Sequence, residues 1–227
     1  MTEPVSVIIR TKNEERWIGA CLDAVFNQDY PNFDVVVVDN DSTDRTREIV
    51  ARYPVCTMIT ISDAEFNFSR ALNRGIEKSR GSLLAIVSGH CVPADEQWML
   101  RLSLGFADPW VAAVYGRQEP LPDSAPRDKR DLYTTFGLDR REQKRDFFFH
   151  NANSMIRRSA WKQVQFNEEI EGVEDRDWAK KVQEMNYTIV YEPSASVYHH
   201  HGIHHDQSPE RAARVVSVIE LIQKDKT

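Results

Sequence analysis

The chain has 227 residues, of which 41% are hydrophobic and 28% charged, and its formal net charge at pH 7 is −6. This composition is typical of one globular core, and the acidic balance argues against a general nucleic-acid binder. The three cysteines form no CxxC pair and suggest neither a disulfide framework nor a zinc ribbon. No apolar run approaches the ~20 residues of a membrane span, and the amino terminus lacks a signal-peptide pattern. We therefore expect a cytoplasmic protein whose membrane contact, if any, is peripheral at the inner face of the cell membrane.

The first part of the chain alternates β-branched runs with helical patterns. Val5–Ile9 predicts a strand, and apolar residues recur at helical spacing over 17–26. Phe33–Val38 predicts a second buried strand, and residues 43–53 predict the helix after it. Two successive strand–loop–helix units predict a parallel, doubly wound sheet, so the expected fold class is α/β.

The central strand of this sheet is predicted at Leu83–Val87, an apolar run without alternation, as in a strand covered on both faces. The run stops at Ser88, Gly89 and His90, and open parallel sheets bind ligands just beyond the carboxyl ends of their strands. These three residues therefore lie where a site is expected. Further strands are predicted at 56–61, 111–115, 147–156, 187–190 and 195–198, and further helices at 68–78, 98–106, 159–164, 177–185 and 211–222.

Polar residues that follow the first two strands are candidates for a nucleotide site. Asp39 ends a buried strand, and its carboxylate could accept the imide N–H of a uracil or thymine ring. Thr11, Asn13 and Glu14 on the neighbouring loop could bind the base or the ribose. Asp41 could join them or cap the following helix. The chain has neither a GxGxxG motif nor a P-loop after the first strand, so carboxylates, amides and a metal would hold any nucleotide.

Several ordered motifs resemble those of the family 2 glycosyltransferases, which have the GT-A fold. They are Val5–Glu15 (VSVIIRTKNEE), Val35–Asp44 (VVVVDNDSTD), Asn73–Ile76 (NRGI), Asn151–Arg158 (NANSMIRR), Glu174–Trp178 (EDRDW) and Val197–His201 (VYHHH). The resemblance covers the chain up to about His201. It implies a single GT-A domain with a mostly parallel, Rossmann-like sheet. Its nucleotide-sugar-binding half is expected at 1–118, a smaller mixed-sheet acceptor half at 119–202 and a carboxyl-terminal helix at 203–227.

The same resemblance implies an activity and a set of site residues. The activity is transfer of a sugar from a nucleoside-diphosphate donor, preferably a UDP-sugar, to a glycan or lipid-linked glycan acceptor. The anomeric carbon would be inverted, and the product would serve polysaccharide or glycoconjugate biosynthesis. By position, the donor nucleotide would be bound by Thr11, Asn13, Glu14, Asp39, Asp41, Asn73 and Ser88.

Glu174 and Asp175 are the predicted catalytic pair. Inverting displacement needs a carboxylate that takes the proton of the acceptor hydroxyl as its oxygen attacks. The resemblance gives this role to Asp175 and makes Glu174 the residue that positions the acceptor. The alternative is that Asp175 caps the next helix, a role for which Asp177 is also available.

One motif departs from the family pattern. Where the family usually carries an Asp-x-Asp that holds a divalent cation on the donor diphosphate, this chain has Ser88, Gly89 and His90. Imidazole suits manganese, zinc and other transition metals better than magnesium. A divalent cation, Mn2+ in preference to Mg2+, is therefore predicted at His90. The alternative is that His90 hydrogen-bonds the phosphate or packs beside Cys91.

A second metal ligand is expected near the end of the resemblance. There the family's metal-dependent members carry a histidine that completes the cation site, and His199 is the best match by position. Strand alternation would place His201 on the same side as His199 and turn His200 to the other side. His204 and His205 are interpreted as an adventitious metal binder or as part of a solvated loop.

The acceptor side of the site is less strongly patterned. Trp178, close to the proposed base, could stack on a sugar face, although a tryptophan there could also belong to the core. Asn151 and Asn153 alternate onto one side of their strand and could bind hydroxyl groups or form a structural turn. Residues 120–145 are charged and rich in proline, which is typical of a mobile lid or substrate loop. Their basic residues could dock an anionic lipid-linked acceptor or a membrane surface.

Two other functions compete with the leading hypothesis. A sugar nucleotidyltransferase would use a similar nucleotide-binding sheet, but no glycine-rich basic phosphate loop follows the first strand. A catalytically silent sugar-nucleotide-binding module would account for the missing Asp-x-Asp. The presence of Glu174, Asp175 and the late histidines argues against that module.

Overall fold

A computed structural model of the chain describes residues 2–53, 56–170, 172–201 and 216–217. Its strands form one nine-stranded mixed sheet in the order β3-β2-β1-β4-β8-β6-β9-β5, and β7 also pairs with β9. The strands are β1 (Val5–Thr11), β2 (Phe33–Asp39), β3 (Cys56–Thr60), β4 (Leu83–Ser88), β5 (Cys91–Pro93), β6 (Val111–Pro120), β7 (Arg141–Gln143), β8 (Asn153–Arg157) and β9 (Thr188–His199).

Helices flank this sheet and connect its strands. They are α1 (Ile18–Phe26), α2 (Thr46–Val50), α3 (Phe68–Glu77), α4 (Trp98–Leu104), α5 (Pro126–Thr135), α6 (Arg158–Gln163) and α7 (Glu174–Glu184), with a 3-10 turn at Gly105–Ala107. Among the helices that the structure describes, none has the length and apolar character needed to cross a bilayer.

The predicted α/β class and the parallel first half are confirmed. Strands β1 to β4 pair in parallel in the order β3-β2-β1-β4. Within β4, Leu83, Ala85 and Val87 face one hydrophobic core, whereas Leu84 and Ile86 face the other. Burial on both faces explains why this strand has no polar alternation. The second half is mixed because β8 is antiparallel to both β4 and β6. The predicted boundary after residue 118 falls inside β6.

The prediction of a long mobile segment at residues 120–145 is wrong. This stretch completes β6 and then forms α5 and β7. Pro126 stands in the first turn of α5, where its fixed φ suits a helix start. Leu132 and Phe136, four residues apart, are buried and anchor the helix to the sheet. The numerous charges around these two positions conceal the helical pattern in the sequence.

Several predicted boundaries also move. The strand expected at 147–156 begins only at Asn153, and the strands expected at 187–190 and 195–198 are one continuous β9. The helix expected at 43–53 is reduced to Thr46–Val50, and the Thr46 N–H donates to Asp44 Oδ1 instead of to a cap at Asp41. The helix expected at 211–222 lies outside the described residues except for 216–217, which are helical.

Candidate active site

A tight turn between β4 and β5 brings the end of the central strand against the end of β1. The Gly89 N–H donates to the Arg10 carbonyl at 2.8 Å. A Cβ at position 89 would lie 2.9 Å from Thr11 Oγ1, so this approach requires glycine. The residue after the turn is His90. Because Cys91 of β5 pairs with His199 of β9, the sheet brings His90 beside the late histidines.

Three histidines form a cluster at this point. His90, His199 and His201 each offer a ring nitrogen, and these atoms lie within 4.8 Å of one another. The rings of His90 and His199 are stacked, with centroids 5.1 Å apart and planes at 7°. The predicted pair is thus brought together, and His201 adds a third imidazole. The His200 ring instead lies 5.2 Å from the Trp17 ring, as strand alternation predicts. His204 and His205 lie outside the described residues.

Two of these imidazoles are oriented by hydrogen bonds on the outer side of the cluster. His90 Nδ1 lies 2.6 Å from Glu14 Oε1, and His199 Nδ1 lies 2.7 Å from Gln118 Oε1. The Nε2 atoms of both rings are then the ones available to a metal. Imidazole ligands whose outer nitrogens bond to a carboxylate or an amide are a common metal-binding arrangement. This donor set suits a divalent transition metal. Glu14, which was predicted to bind the nucleotide, is therefore in contact with His90.

The predicted base-binding carboxylate lies at the end of β2. Asp39 is fully buried, and its Oδ2 accepts the Ser42 N–H at 3.0 Å. Among the described residues, Asp39 Oδ1 has no hydrogen-bond partner, and neither has the buried Oγ1 of Thr11. Buried polar atoms are nearly always hydrogen-bonded in folded proteins, so two such atoms near one strand edge indicate a place for a ligand.

The remaining residues predicted at the nucleotide differ in their surroundings. Asn13 has a φ of 53°, and its Oδ1 accepts the Thr43 N–H at 2.8 Å, so it ties two loops together. Asp41 is exposed and has a φ of 47°. Ser88 is half-buried at the end of β4, next to the turn that carries His90.

The contacts of Asn73 do not support its predicted nucleotide-binding role. It is buried in α3, where its Nδ2 donates to the Phe166 carbonyl at 2.9 Å and to Glu168 Oε1 at 3.0 Å. Its Oδ1 accepts from Trp161 Nε1 and from the Phe166 N–H. All its hydrogen-bonding capacity therefore goes to holding α6 and the segment after it.

The predicted catalytic pair lies in the first turn of α7, which begins earlier than expected. Glu174 is only 5% exposed, and its Oε1 is 3.4 Å from Arg10 Nη1. Asp175 Oδ1 accepts the Arg176 N–H at 2.8 Å, and Oδ2 accepts the Asn151 N–H at 3.4 Å. Asp177 pairs with Lys181 at 2.7 Å. The N-cap residue of α7 is Val173, so Asp175 lies inside the first turn, where its Oδ1 satisfies one backbone N–H of the helix start.

Both carboxyl groups of this pair have raised pKa values. Burial, and then the neighbouring charge of Asp175, raise the pKa of Glu174 to about 7. Burial also raises the pKa of Asp175. The charge of Arg176 and the hydrogen bonds from backbone N–H groups partly oppose this rise. Because the two carboxyl groups interact strongly, they titrate as a pair. A carboxylate with a raised pKa is a stronger base than an exposed aspartate.

Trp178 and Asn153 do not face a substrate, and both predicted acceptor roles are wrong. Trp178 is fully buried beside Phe149 and Phe166, and its Nε1 donates to the Val164 carbonyl at 2.7 Å.

Asn153 Oδ1 accepts from Trp98 Nε1, while its Nδ2 donates to the carbonyls of Arg117 and Ala195. It therefore joins β6, β8 and β9.

Asn151 remains a candidate for acceptor binding. It is almost fully buried, and its backbone N–H donates to Asp175 Oδ2. Its Oδ1 accepts from Ser154 Oγ at 3.3 Å, whereas its Nδ2 has no hydrogen-bond partner among the described residues. The side chain thus retains an unpaired donor in a residue whose backbone bonds to Asp175.

Three residues of this site were missed by sequence reasoning. Arg10 contacts Glu174, Gln118 contacts His199, and Gln118 Nε2 lies 3.1 Å from His150 Nδ1. Burial, followed by the charges of Arg176 and Arg10, lowers the pKa of His150 to about 3, so this ring is neutral. The sequence carries no signal for Gln118, which stands between Arg117 and Glu119 beyond the strand predicted at 111–115, and the fold was needed to show its partners.

Two solved glycosyltransferase structures share this fold. The mannosyltransferase PcManGT of Pyrobaculum calidifontis, solved with GDP-Man and Mn2+, has a TM-score of 0.67 and 24% identity, covering 87% of this chain and 57% of that one. TarS of Staphylococcus aureus, residues 1–349, has a TM-score of 0.68 and 19% identity, covering 87% of this chain and 60% of that one. These likenesses establish the GT-A architecture.

The sequence establishes the family. The model of glycosyl transferase family 2 matches residues 6–165, and the chain belongs to this family. Glycosyltransferase AglE of Haloferax volcanii is 31% identical over 195 residues, which is 82% of this chain and 64% of that protein. The O-antigen chain rhamnosyltransferase RfbN of Salmonella typhimurium is 25% identical over 210 residues, 87% of this chain and 67% of that protein. The chain thus spans about two thirds of these relatives.

Proposed function

We propose that this chain is an inverting glycosyltransferase that moves a sugar from a nucleoside-diphosphate donor to a glycan or lipid-linked glycan acceptor. The observation that carries this proposal is the connection between the histidine cluster and the carboxylate pair. Gln118 contacts both His199 and His150, and the residue after His150 donates its N–H to Asp175. One continuous site therefore holds candidate groups for the leaving diphosphate and for the attacking hydroxyl.

The donor nucleotide is assigned to the edge formed by β1 and β2. Asp39 Oδ1 is a buried acceptor without a partner among the described residues, and an imide N–H of a uracil ring would satisfy it. Thr11 Oγ1 is also buried without a hydrogen-bond partner among the described residues, and it would bond to the base or the ribose. A UDP-sugar is accordingly the preferred donor.

A divalent cation is assigned to His90, His199 and His201, with Mn2+ preferred over Mg2+ because all three ligands are imidazoles. When bound, it would supply positive charge to the leaving diphosphate. Glu14 and Gln118 keep the His90 and His199 rings in place from the outer side. Glu14 is therefore a metal-positioning residue in this site.

Asp175 is the proposed base. It takes the proton from the acceptor hydroxyl while the hydroxyl oxygen forms its bond to the anomeric carbon and the bond from that carbon to the diphosphate oxygen breaks. Attack from the face opposite the leaving group inverts the anomeric centre. Glu174, held by Arg10, positions the acceptor, and Asn151 Nδ2 is a donor for one of its hydroxyls.

The acceptor is proposed to be lipid-linked, with peripheral contact at the inner face of the membrane. A relative from Methanococcus voltae, 32% identical over 98 residues, is named for transfer to a dolichyl N-acetylglucosaminyl phosphate. In this chain, Tyr133 and Leu138 are 57% and 72% exposed, and the exposed Arg130, Arg140 and Arg141 lie close to them in the chain. Apolar and cationic side chains together suit an anionic lipid surface.

Release of UDP from a panel of UDP-sugars tests this function. The wild type should turn over at least one donor in the presence of Mn2+, by slow hydrolysis or by transfer to added acceptor. Asp175→Asn should bind UDP as the wild type does but lose turnover, while Asp177→Asn, which alters the neighbouring acid of the same helix turn, should retain it. Donor binding without turnover in the wild type would favour the silent-module alternative instead.

A further inference from the structure

Gln118 occupies an unusual place in β6. Strand β6 pairs in parallel with β9, and the register shifts between Gly116, opposite Glu192, and Gln118, opposite Val197. A Cβ at position 116 would lie 1.8 Å from the Ala195 carbonyl oxygen, so glycine is required where β9 bulges toward β6. Bulges of this kind re-aim the side chain that follows. Here that side chain is Gln118, which is 0% exposed.

The amide of Gln118 lies between two imidazoles. Its Nε2 is 3.1 Å from His150 Nδ1, and its Oε1 is 2.7 Å from His199 Nδ1. An amide has a donor end and an acceptor end, so its orientation decides which ring nitrogen carries a proton. The orientation therefore determines the tautomer of His199.

A backbone group fixes that orientation. The Ala152 N–H lies 3.2 Å from His150 Nδ1 and can only donate, so His150 Nδ1 is an acceptor without a proton. The end of the Gln118 amide that faces the same nitrogen must then be the NH2 group. The opposite end, which faces His199, is consequently the carbonyl oxygen, and His199 Nδ1 must carry the proton.

We propose that Gln118, oriented by His150, is a positioning residue that holds His199 in the tautomer with Nδ1 protonated and the Nε2 lone pair directed to the metal. This inference rests on the proposed function because it assigns His199 to the cation site. This arrangement resembles the contact of Glu14 with His90 Nδ1, which holds His90, the other predicted metal ligand, in place. Nothing in the sequence near either histidine encodes it, since 81 positions separate Gln118 from His199.

Outer partners of metal-bound histidines contribute about ten- to a hundredfold to metal affinity. Gln118→Leu removes both hydrogen bonds at similar volume, so His199 can rotate and adopt the other tautomer. The dissociation constant for Mn2+ should rise by about this factor. The matched control is Gln28→Leu, which removes another buried glutamine whose side chain bonds only to the backbone of Ala24, Asp95 and Met99.

The experiment has two measurements. Titration of the metal-free proteins with Mn2+, followed by electron paramagnetic resonance of the free ion, gives the dissociation constants of wild type, Gln118→Leu and Gln28→Leu. Long-range 1H–15N correlation spectra of the metal-free wild type give the tautomer of the His199 ring, and this second measurement does not depend on whether Gln118→Leu folds.

We expect a protonated Nδ1 on His199 in the wild type, weakened Mn2+ binding in Gln118→Leu and unchanged binding in Gln28→Leu. A protonated Nε2 on His199 in the wild type would overturn the proposal. So would a folded Gln118→Leu with wild-type affinity, or an equal loss in both leucine variants. Absence of Mn2+ binding in the wild type would instead overturn the metal site of the proposed function.

Discussion

Arg10 Nη1 lies 3.4 Å from Glu174 Oε1, although 164 positions separate the two residues in the chain. The guanidinium comes from the end of β1 and the carboxylate from the first turn of α7, and both side chains are largely buried. Arg10 also lies over the Phe68 ring, 5.0 Å from its centroid. The contact joins the parallel half of the sheet to the helix that carries the proposed base.

The burial of Glu174 should destabilise the fold at alkaline pH. Its pKa is raised from 4.5 to about 7, so the folded state binds the proton more tightly than the unfolded chain does. Stability from this group is complete below pH ~4.5 and is lost as the pH rises to about 7. Glu174→Gln should therefore raise the free energy of unfolding at pH 8 by about 1 to 3 kcal/mol, the lower value applying if the unpaired Arg10 charge offsets part of the gain.

Urea denaturation of wild type and Glu174→Gln at pH 5 and pH 8 measures this effect. The control is Glu184→Gln at the exposed end of the same helix, which should show little difference from the wild type at either pH. A stabilisation of Glu174→Gln that is equal at both pH values would contradict the assignment of the effect to ionisation.

The activity should fall on the acidic side of neutrality. Asp175 must be ionised to accept the hydroxyl proton, and burial raises its pKa. We expect kcat of the wild type to decrease as the pH is lowered through the range in which the Glu174–Asp175 pair takes up protons. Asp175→Asn should lower kcat by about 10²- to 10⁴-fold at every pH, with little change in KM for the donor. A pH profile of kcat that is flat from pH 5 to 8 would disprove the role of the pair.

His201 should contribute to metal binding, whereas its neighbour should not. The His201 ring lies 4.6 Å from the His90 ring and 4.4 Å from the His199 ring, measured between centroids. His201→Ala should weaken Mn2+ binding by about tenfold or more, because loss of a ligand costs at least as much as loss of an outer partner. His200→Ala, whose ring packs on Trp17, is the matched control and should bind Mn2+ normally. Calorimetric titration with Mn2+ distinguishes the two, and equal affinities would remove His201 from the site.

Asp39 should contribute to nucleotide binding through its Oδ1. In Asp39→Asn, one end of the amide can still accept the Ser42 N–H, so the other end presents an NH2 group to the base. An NH2 group cannot accept from the imide N–H, so the hydrogen bond of the base to the carboxylate, worth ~1.5–3 kcal/mol, is lost. The affinity for UDP should therefore fall about 10- to 100-fold. Calorimetry with UDP and with GDP measures this loss. Unchanged UDP affinity would show that the base binds elsewhere.

Local sequence patterns were sufficient for the first half of the fold. Runs of buried residues such as Leu83–Val87 and the helical spacing after Trp17 report periodicity, which depends only on nearby residues. The same kind of pattern placed Asp39 and His90 at strand ends, where parallel sheets bind ligands. It failed at 120–145, where the two buried residues Leu132 and Phe136, in α5 and at its end, were outnumbered by charges. It also failed at Trp178, whose burial depends on Phe149 and Phe166.

The sequence by itself determined the α/β class, the family and the residue types available for chemistry. Only the tertiary structure decided which of them meet. The pairing of β5 with β9 joins His90 to His199, and the bulge at Gly116 turns Gln118 between two imidazoles. Register is set by pairing between strands that are distant in the chain, and a shift of one residue would turn each side chain to the other face of the sheet. No local pattern contains that information, because it arises only when the strands pair.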